Sequence, residues 1–346
     1  MDKVSPDRVT FVVGTGRCGS TMLSRILHLH PDVLSVSEFL ATLKRATGSR
    51  DVPTRDLDGG ELWAMLSAPD PIFGAFLAAG MEFPELCYPF GRGRFAVGTG
   101  APRICHMTLP VLSDDPDALF DQLAAEVPSW PRRPAAAHYC ELFGFLAAVL
   151  NRRVIVERSG ASLAMVSLLR AQFPGARFVH MHRNGPDCAL SMSRHPGFRM
   201  AGLRAAARLA GKPAWTQTRA ALPPEFEGLL MPPFDAARFM AYPIEPAFFG
   251  RMWSRTVCEG LTALRELPAA AWTNLCYEDL IGYPDAELGR IAGFLGVAAD
   301  RRWLTAAAGI IGQRRPASTA HRLDPAVMES LRTACAPGTD AIASLC

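Results

Sequence analysis

Residues 9–30 read VTFVVGTGRCGSTMLSRILHLH, and the fold turns on this stretch. An apolar, β-branched run from Val9 to Val13 stops at Gly14, and a glycine-rich turn leads into a helical pattern beginning near Ser20. Strand, glycine-rich loop and helix in that order make a P-loop, whose backbone N–H groups and helix N-terminus form an anion site. The loop reads Gly14-x-x-x-x-Gly19-Ser20-Thr21, so serine stands where a nucleoside triphosphatase needs its lysine. The expectation is a loop that grips a phosphate-bearing donor other than the β and γ phosphates of ATP. The bland alternative is a plain strand-to-helix turn with Ser20 as N-cap and Arg17 in solvent.

The totals set bounds around that loop. A chain of 346 residues with 49% hydrophobic residues can build a large packed α/β core. A formal net charge of +3, with no long basic stripe, argues against a nucleic-acid partner. Nine cysteines without a CxxC pair suit free thiols in a reducing cytoplasm better than a disulfide framework. The polar MDKVSPDR start does not read as a signal peptide, and the longest apolar stretch, Leu142–Leu150, is too short for a membrane span. A cytoplasmic protein is expected.

Further along, Val33–Val36, Val154–Glu157, Arg177–His182 and Ala271–Tyr277 read as strands. Helical patterns cover Phe39–Lys44, Leu163–Phe173, Asp187–Ser193, Arg251–Leu267 and Asp285–Leu295, the last of these being the final clear helix, with Gly296 as its stop. This alternation predicts one α/β domain over 1–346, a central parallel sheet with helices on both faces, and a ligand beyond the strands' carboxyl ends. Two blocks break the alternation, one at 42–150, with a polar loop at Thr47–Gly60 and a mostly helical stretch over 61–150, and a Pro-, Phe-, Met- and Gly-rich one at 196–250. They are expected to form the walls and lid of an acceptor pocket.

A second constellation follows the strand Phe178–His182: Arg183-Asn-Gly-Pro-Asp-Cys-Ala-Leu-Ser191. Arg183 would stand at the strand's carboxyl end, and Ser191 one and a half turns into the next helix, close enough to share an anion with it. Alternatively Arg183 pairs with Asp187, and Ser191 bonds back within its own helix.

Together, GTGRCGSTML and RFVHMHRNGPDCALSM resemble the two donor-binding motifs of the sulfotransferases that use 3′-phosphoadenosine 5′-phosphosulfate (PAPS). The late segment YEDLIGYPDAEL, with Phe294-Leu-Gly after it, is similar to that family's helix near the C-terminus. The resemblance covers roughly 100 residues and leaves 42–150 and 196–250 outside it. It implies a P-loop-like fold, PAPS as donor and no metal. The 5′-phosphosulfate would lie on Gly16, Arg17, Cys18, Gly19, Ser20 and Thr21, and the 3′-phosphate on Arg183 and Ser191. It also explains the missing lysine, because a sulfuryl group carries less charge than a phosphoryl group, and Arg17 would neutralise the departing phosphate.

The same resemblance makes Glu38 the base that takes the acceptor's proton. Ser35-x-x-Glu38 is also a capping-box pattern opening a helix, and His195 is a reserve base. Glu157 follows an apolar run as a magnesium-binding acid would. Arg158-Ser159-Gly160 stands where the family carries a Lys-Thr-Pro-like element, which leaves Arg158 open between a ligand contact and a surface ion pair. Arg314 and Arg315 resemble the family's basic loop over adenosine. Neither His180 with His182 nor the cysteine–histidine pairs have further ligands at zinc spacing. The acceptor is expected to be a small molecule, glycan or lipid with a hydroxyl and an apolar portion. The rival readings are a P-loop kinase or other nucleotide phosphotransferase, with Glu157 holding magnesium, and a non-catalytic protein that binds 3′,5′-ADP.

Overall fold

A computed structural model describes residues 9–49, 51–98, 100–209, 224–312 and 323–345. Five strands, β1 (Val9–Val13), β2 (Val33–Ser37), β3 (Val154–Arg158), β4 (Arg177–His182) and β5 (Trp272–Cys276), form a wholly parallel sheet in the order β2-β3-β1-β4-β5. Every residue of β1 and β2 is buried. Strands covered on both faces have no solvent side, which is why they read as continuous apolar runs rather than alternating ones.

Helices flank the sheet. The ones used below are α1 (Ser20–His28), α2 (Phe39–Thr47), α3 (Ala135–Val149), α4 (Gly185–Ser193), α5 (Pro196–Leu209), α6 (Pro246–Arg265) and α7 (Pro325–Ala343). Each expected strand is present. The helix expected from Asp285 begins at Pro284 and ends at Gly296, whose φ of 76° supplies the left-handed stop. The stretch Leu163–Phe173 opens as a 3₁₀ turn, Leu163–Met165, before the helix Val166–Gln172.

One expectation is corrected. The helix ending at Leu295 is not the last, since Arg301–Gly312 and α7 follow it. α7 carries Pro337 and Gly338, residues that punctuate a helix in a sequence reading. Gly338 is where α7 presses on α6: a Cβ there would come 2.7 Å from the Trp253 ring, and its N–H donates to Ser254 Oγ at 2.6 Å. Packing overrides propensity at this point.

Both irregular blocks contribute to a second apolar cluster, apart from the main core, in which Phe76 meets Met200, Leu203, Phe234 and Phe239. The rings of Phe76 and Phe234 stack at 4.1 Å. No helix among the described residues is long and apolar enough to cross a membrane.

Candidate active site

The register of the sheet brings the two motifs to one edge. Val13 of β1 lies level with His180 of β4, so the loop after β1 starts beside the end of β4, just before Arg183. Gly14 has no room for a side chain, since a Cβ would come 2.6 Å from Cys18 Sγ and 2.8 Å from the Met181 carbonyl oxygen. Gly19, at φ 95°, would put a Cβ 2.3 Å from the Tyr277 ring. It is Gly19, not Ser20, that caps α1, so the serine cap of the plain-turn alternative is not seen. Ser20 is buried as the first helical residue, and Thr21 is half-buried. Cys18 is fully buried, and burial raises its thiol pKa against the hydrogen bonds from Ser20.

Arg17 adopts a left-handed backbone, φ 59°, and its Nε donates to Ser191 Oγ at 3.1 Å across 174 residues of sequence. The Arg183 guanidinium lies 4.7 Å from the centre of the Tyr277 ring, and its buried Nε has no hydrogen-bond partner. Arg17, Arg183, Ser191 and Tyr277 line one cavity of about 560 Å3. Met81 from the first irregular block and Met240 from the second reach the same cavity. A buried orphan donor beside a glycine cradle suits a ligand with two separated anionic groups.

The Glu38 carboxylate lies on the other flank of the loop. Glu38 is 5% exposed and also left-handed, φ 58°. It pairs with Arg158 Nη1 and accepts the Gly160 N–H at 3.1 Å, while Arg158 Nη2 donates to Ser37 Oγ at 2.7 Å. The capping-box alternative is not seen: Glu38 makes no side-chain cap, and the Ser35 hydroxyl lies 2.9 Å from that of Ser24. Arg158 is 2% exposed, which rules out a surface ion pair. The loop 159–163 ties this flank to the first motif, with the Leu163 N–H donating to the Gly14 carbonyl at 3.2 Å.

Glu157 is fully buried, and its Oε1 accepts from Ser159 Oγ at 2.6 Å and from the Leu40 N–H at 3.3 Å. Burial, with only partial relief from those bonds, pushes its pKa up to about 8. Wholly buried, Glu157 is not among the residues that line the cavity. His180 is locked in the sheet with Nδ1 3.0 Å from Asn274 Oδ1, and burial lowers its pKa to about 3. Among the described residues no group of three His, Cys, Asp or Glu side chains is placed to hold a metal.

One residue at the site carries no mark in the sequence. Glu85 Oε1 lies 2.7 Å from Arg17 Nη1, and its Oε2 lies 3.1 Å from His195 Nε2. Burial opposes its charge, but the hydrogen bond from His195 and the Arg17 guanidinium outweigh it and hold the carboxyl at about 2. The Gly197 N–H donates to His195 Nδ1 at 3.1 Å, so both ring nitrogens of the reserve base are engaged. Nothing in the proline-rich surroundings of Glu85 sets it apart, because both of its partners come from other parts of the chain. Arg314 and Arg315 lie outside the described residues.

No protein-family profile and no curated protein matches this chain. Among solved structures it is similar to the sulfotransferase domain from the curacin biosynthetic pathway, at 14% identity and a TM-score of 0.44 over 85% of this chain and 75% of that one. It is similar also to the sulfotransferase domain of the Synechococcus PCC 7002 olefin synthase, at 16% and 0.45 over 100% and 96%. A third is sulfotransferase STF9 from Mycobacterium avium, at 14% and 0.46 over 96% and 76%. These neighbours are sulfotransferases, but the likeness is loose, and the functional reading rests on the site itself.

Proposed function

We propose that this chain is a PAPS-dependent sulfotransferase acting on the hydroxyl of a small-molecule, glycan or lipid acceptor with an apolar portion. The observation that carries the reading is the Arg17–Ser191 contact, which joins the two motifs beside the unpartnered Arg183 Nε. One anion site needs one motif, whereas a donor with phosphates at both ends of a ribose needs two on one sheet edge.

PAPS, when bound, supplies the sulfuryl group and departs as 3′,5′-ADP. The N–H groups of Gly16 to Thr21 hold the 5′ oxyanions, and Arg17 places positive charge where the departing phosphate gains negative charge. Arg183 and Ser191 hold the 3′-phosphate, with the Tyr277 ring fixing the guanidinium plane. Glu38 takes the acceptor's proton on a carboxylate lone pair left over from its bonds to Arg158 and Gly160, which keep the group in place. The methionines at the cavity mouth favour an acceptor or base with an apolar face.

Calorimetric titration with 3′,5′-ADP in the absence of magnesium, beside magnesium-ATP, tests the donor site. The expected result is binding of 3′,5′-ADP that weakens at least about tenfold in Arg183→Ala, since a charge-assisted pair to phosphate is lost. Preference for magnesium-ATP, or indifference to Arg183, would replace this reading with the phosphotransferase.

A further inference from the structure

Glu85 occupies Arg17 on an edge that an incoming oxyanion also needs. Arg17 spends Nε on Ser191 Oγ at 3.1 Å and Nη1 on Glu85 Oε1 at 2.7 Å. The two side chains of the ion pair are only 24% and 13% exposed, so water and salt screen it weakly. A carboxylate this close cancels much of the charge Arg17 presents to a second anion, and repels that anion directly. Its other oxygen is held by His195, whose ring is fixed in turn by the Gly197 N–H, so the carboxylate has a defined seat rather than a swinging one. With its carboxyl held at about 2, Glu85 is not removed by protonation at neutral pH. Among acceptors, an anion is the one best able to take its place on Arg17.

We infer that Glu85 competes with the donor's phosphosulfate for Arg17, and so sets how tightly donor and product are held; this rests on the donor-site reading above. The Glu85 carboxylate yields Nη1 when an anion enters the loop, and takes it back as 3′,5′-ADP leaves. Because Glu85 belongs to the first irregular block and Arg17 to the loop after β1, donor occupancy is thereby felt by the wall of the cavity. A residue that merely supported Arg17 would act with the opposite sign: removing its charge would loosen the site and weaken anion binding.

The test is calorimetry of 3′,5′-ADP against wild type, Glu85→Gln, Glu85→Asp, Arg17→Ala and the Arg17→Ala/Glu85→Gln double variant, with a thermal melt of each. Glu85→Gln keeps the shape and loses the charge, and is expected to bind at least about threefold tighter than wild type. Glu85→Asp keeps the charge and shortens the reach, and should move the same way by a smaller factor. The gain should vanish in the Arg17→Ala background, because the effect runs through that guanidinium. Equal or weaker binding by folded Glu85→Gln and Glu85→Asp, in a wild type that does bind, overturns the inference alone, as does a gain that survives without Arg17. Failure of every protein, wild type included, to bind 3′,5′-ADP removes the donor-site reading and the inference with it.

Discussion

Glu157 shows how a single residue can be placed by the chain and still be misread by its neighbours in sequence. It follows an apolar strand, the position of a magnesium-binding acid, yet it is wholly buried, bonded to Ser159 and the Leu40 N–H, with Oε2 unpartnered. Its folded pKa of about 8 stands above the ordinary 4.5, so between those values the folded protein holds a proton that the unfolded chain has released. Stability therefore falls as pH rises through that window, by up to about 1.4 kcal/mol per pH unit, and the contribution is fully present only below the lower value. Glu157→Gln removes the titrating proton and keeps the acceptor oxygen. Urea unfolding at pH 5, 6, 7 and 8 should show the wild-type slope flattened in the variant, and the variant more stable at pH 8. Parallel pH profiles would mean that Glu157 is charged in the fold, and would return it to candidacy as a metal ligand.

At the scale of elements, the proposed donor site depends on how α4 rests on its supports. Gly185 opens α4 two residues after Arg183, and a Cβ there would come 2.7 Å from the Trp253 ring of α6 and 3.1 Å from Cys335 Cβ of α7. Gly185→Ala should cost about 1–3 kcal/mol by overpacking and push the first turn of α4 away from the sheet edge, weakening 3′,5′-ADP binding. Adding Trp253→Phe, which makes room, should recover part of both losses in urea unfolding and calorimetry. No change in stability would show that α4 does not bear on α6 as closely as the geometry has it. This support was not legible in the sequence, because α7 hides behind Pro337 and Gly338 and no helix was expected after Leu295. The strands and the first loop were legible, since β-branched runs and the Gly14, Gly16 and Gly19 spacing are local signals. Glu85 was not, since its meaning lies in Arg17 and His195, which only the folded chain brings to it. Glu38 was legible as a candidate through resemblance alone, and its bond to the buried Arg158 belongs to the adjacency of β2 and β3.

For the molecule as a whole, the question is whether the sheet and its irregular blocks unfold together. Trp130 in the first block shares one core cluster with Trp253 and Trp303, and α3 of that block packs on β2 and β3. The two blocks also meet each other through Phe76 and Phe234. A chain stitched this way should behave as one domain, with tryptophan fluorescence and far-UV circular dichroism reporting a single coincident urea transition. Ligand linkage sharpens the test, since 3′,5′-ADP touches loops from β1 and β4 in the proposed site. At one hundred times its dissociation constant it should stabilise the whole transition by about 2.7 kcal/mol, seen equally by both probes. Arg183→Ala, binding about tenfold more weakly, should cut that gain to about 1.4 kcal/mol at the same ligand concentration. Two separated transitions, with the ligand moving only one of them, would instead divide the chain into units that fold independently. The irregular blocks would then be additions to the five-stranded sheet rather than parts of its core.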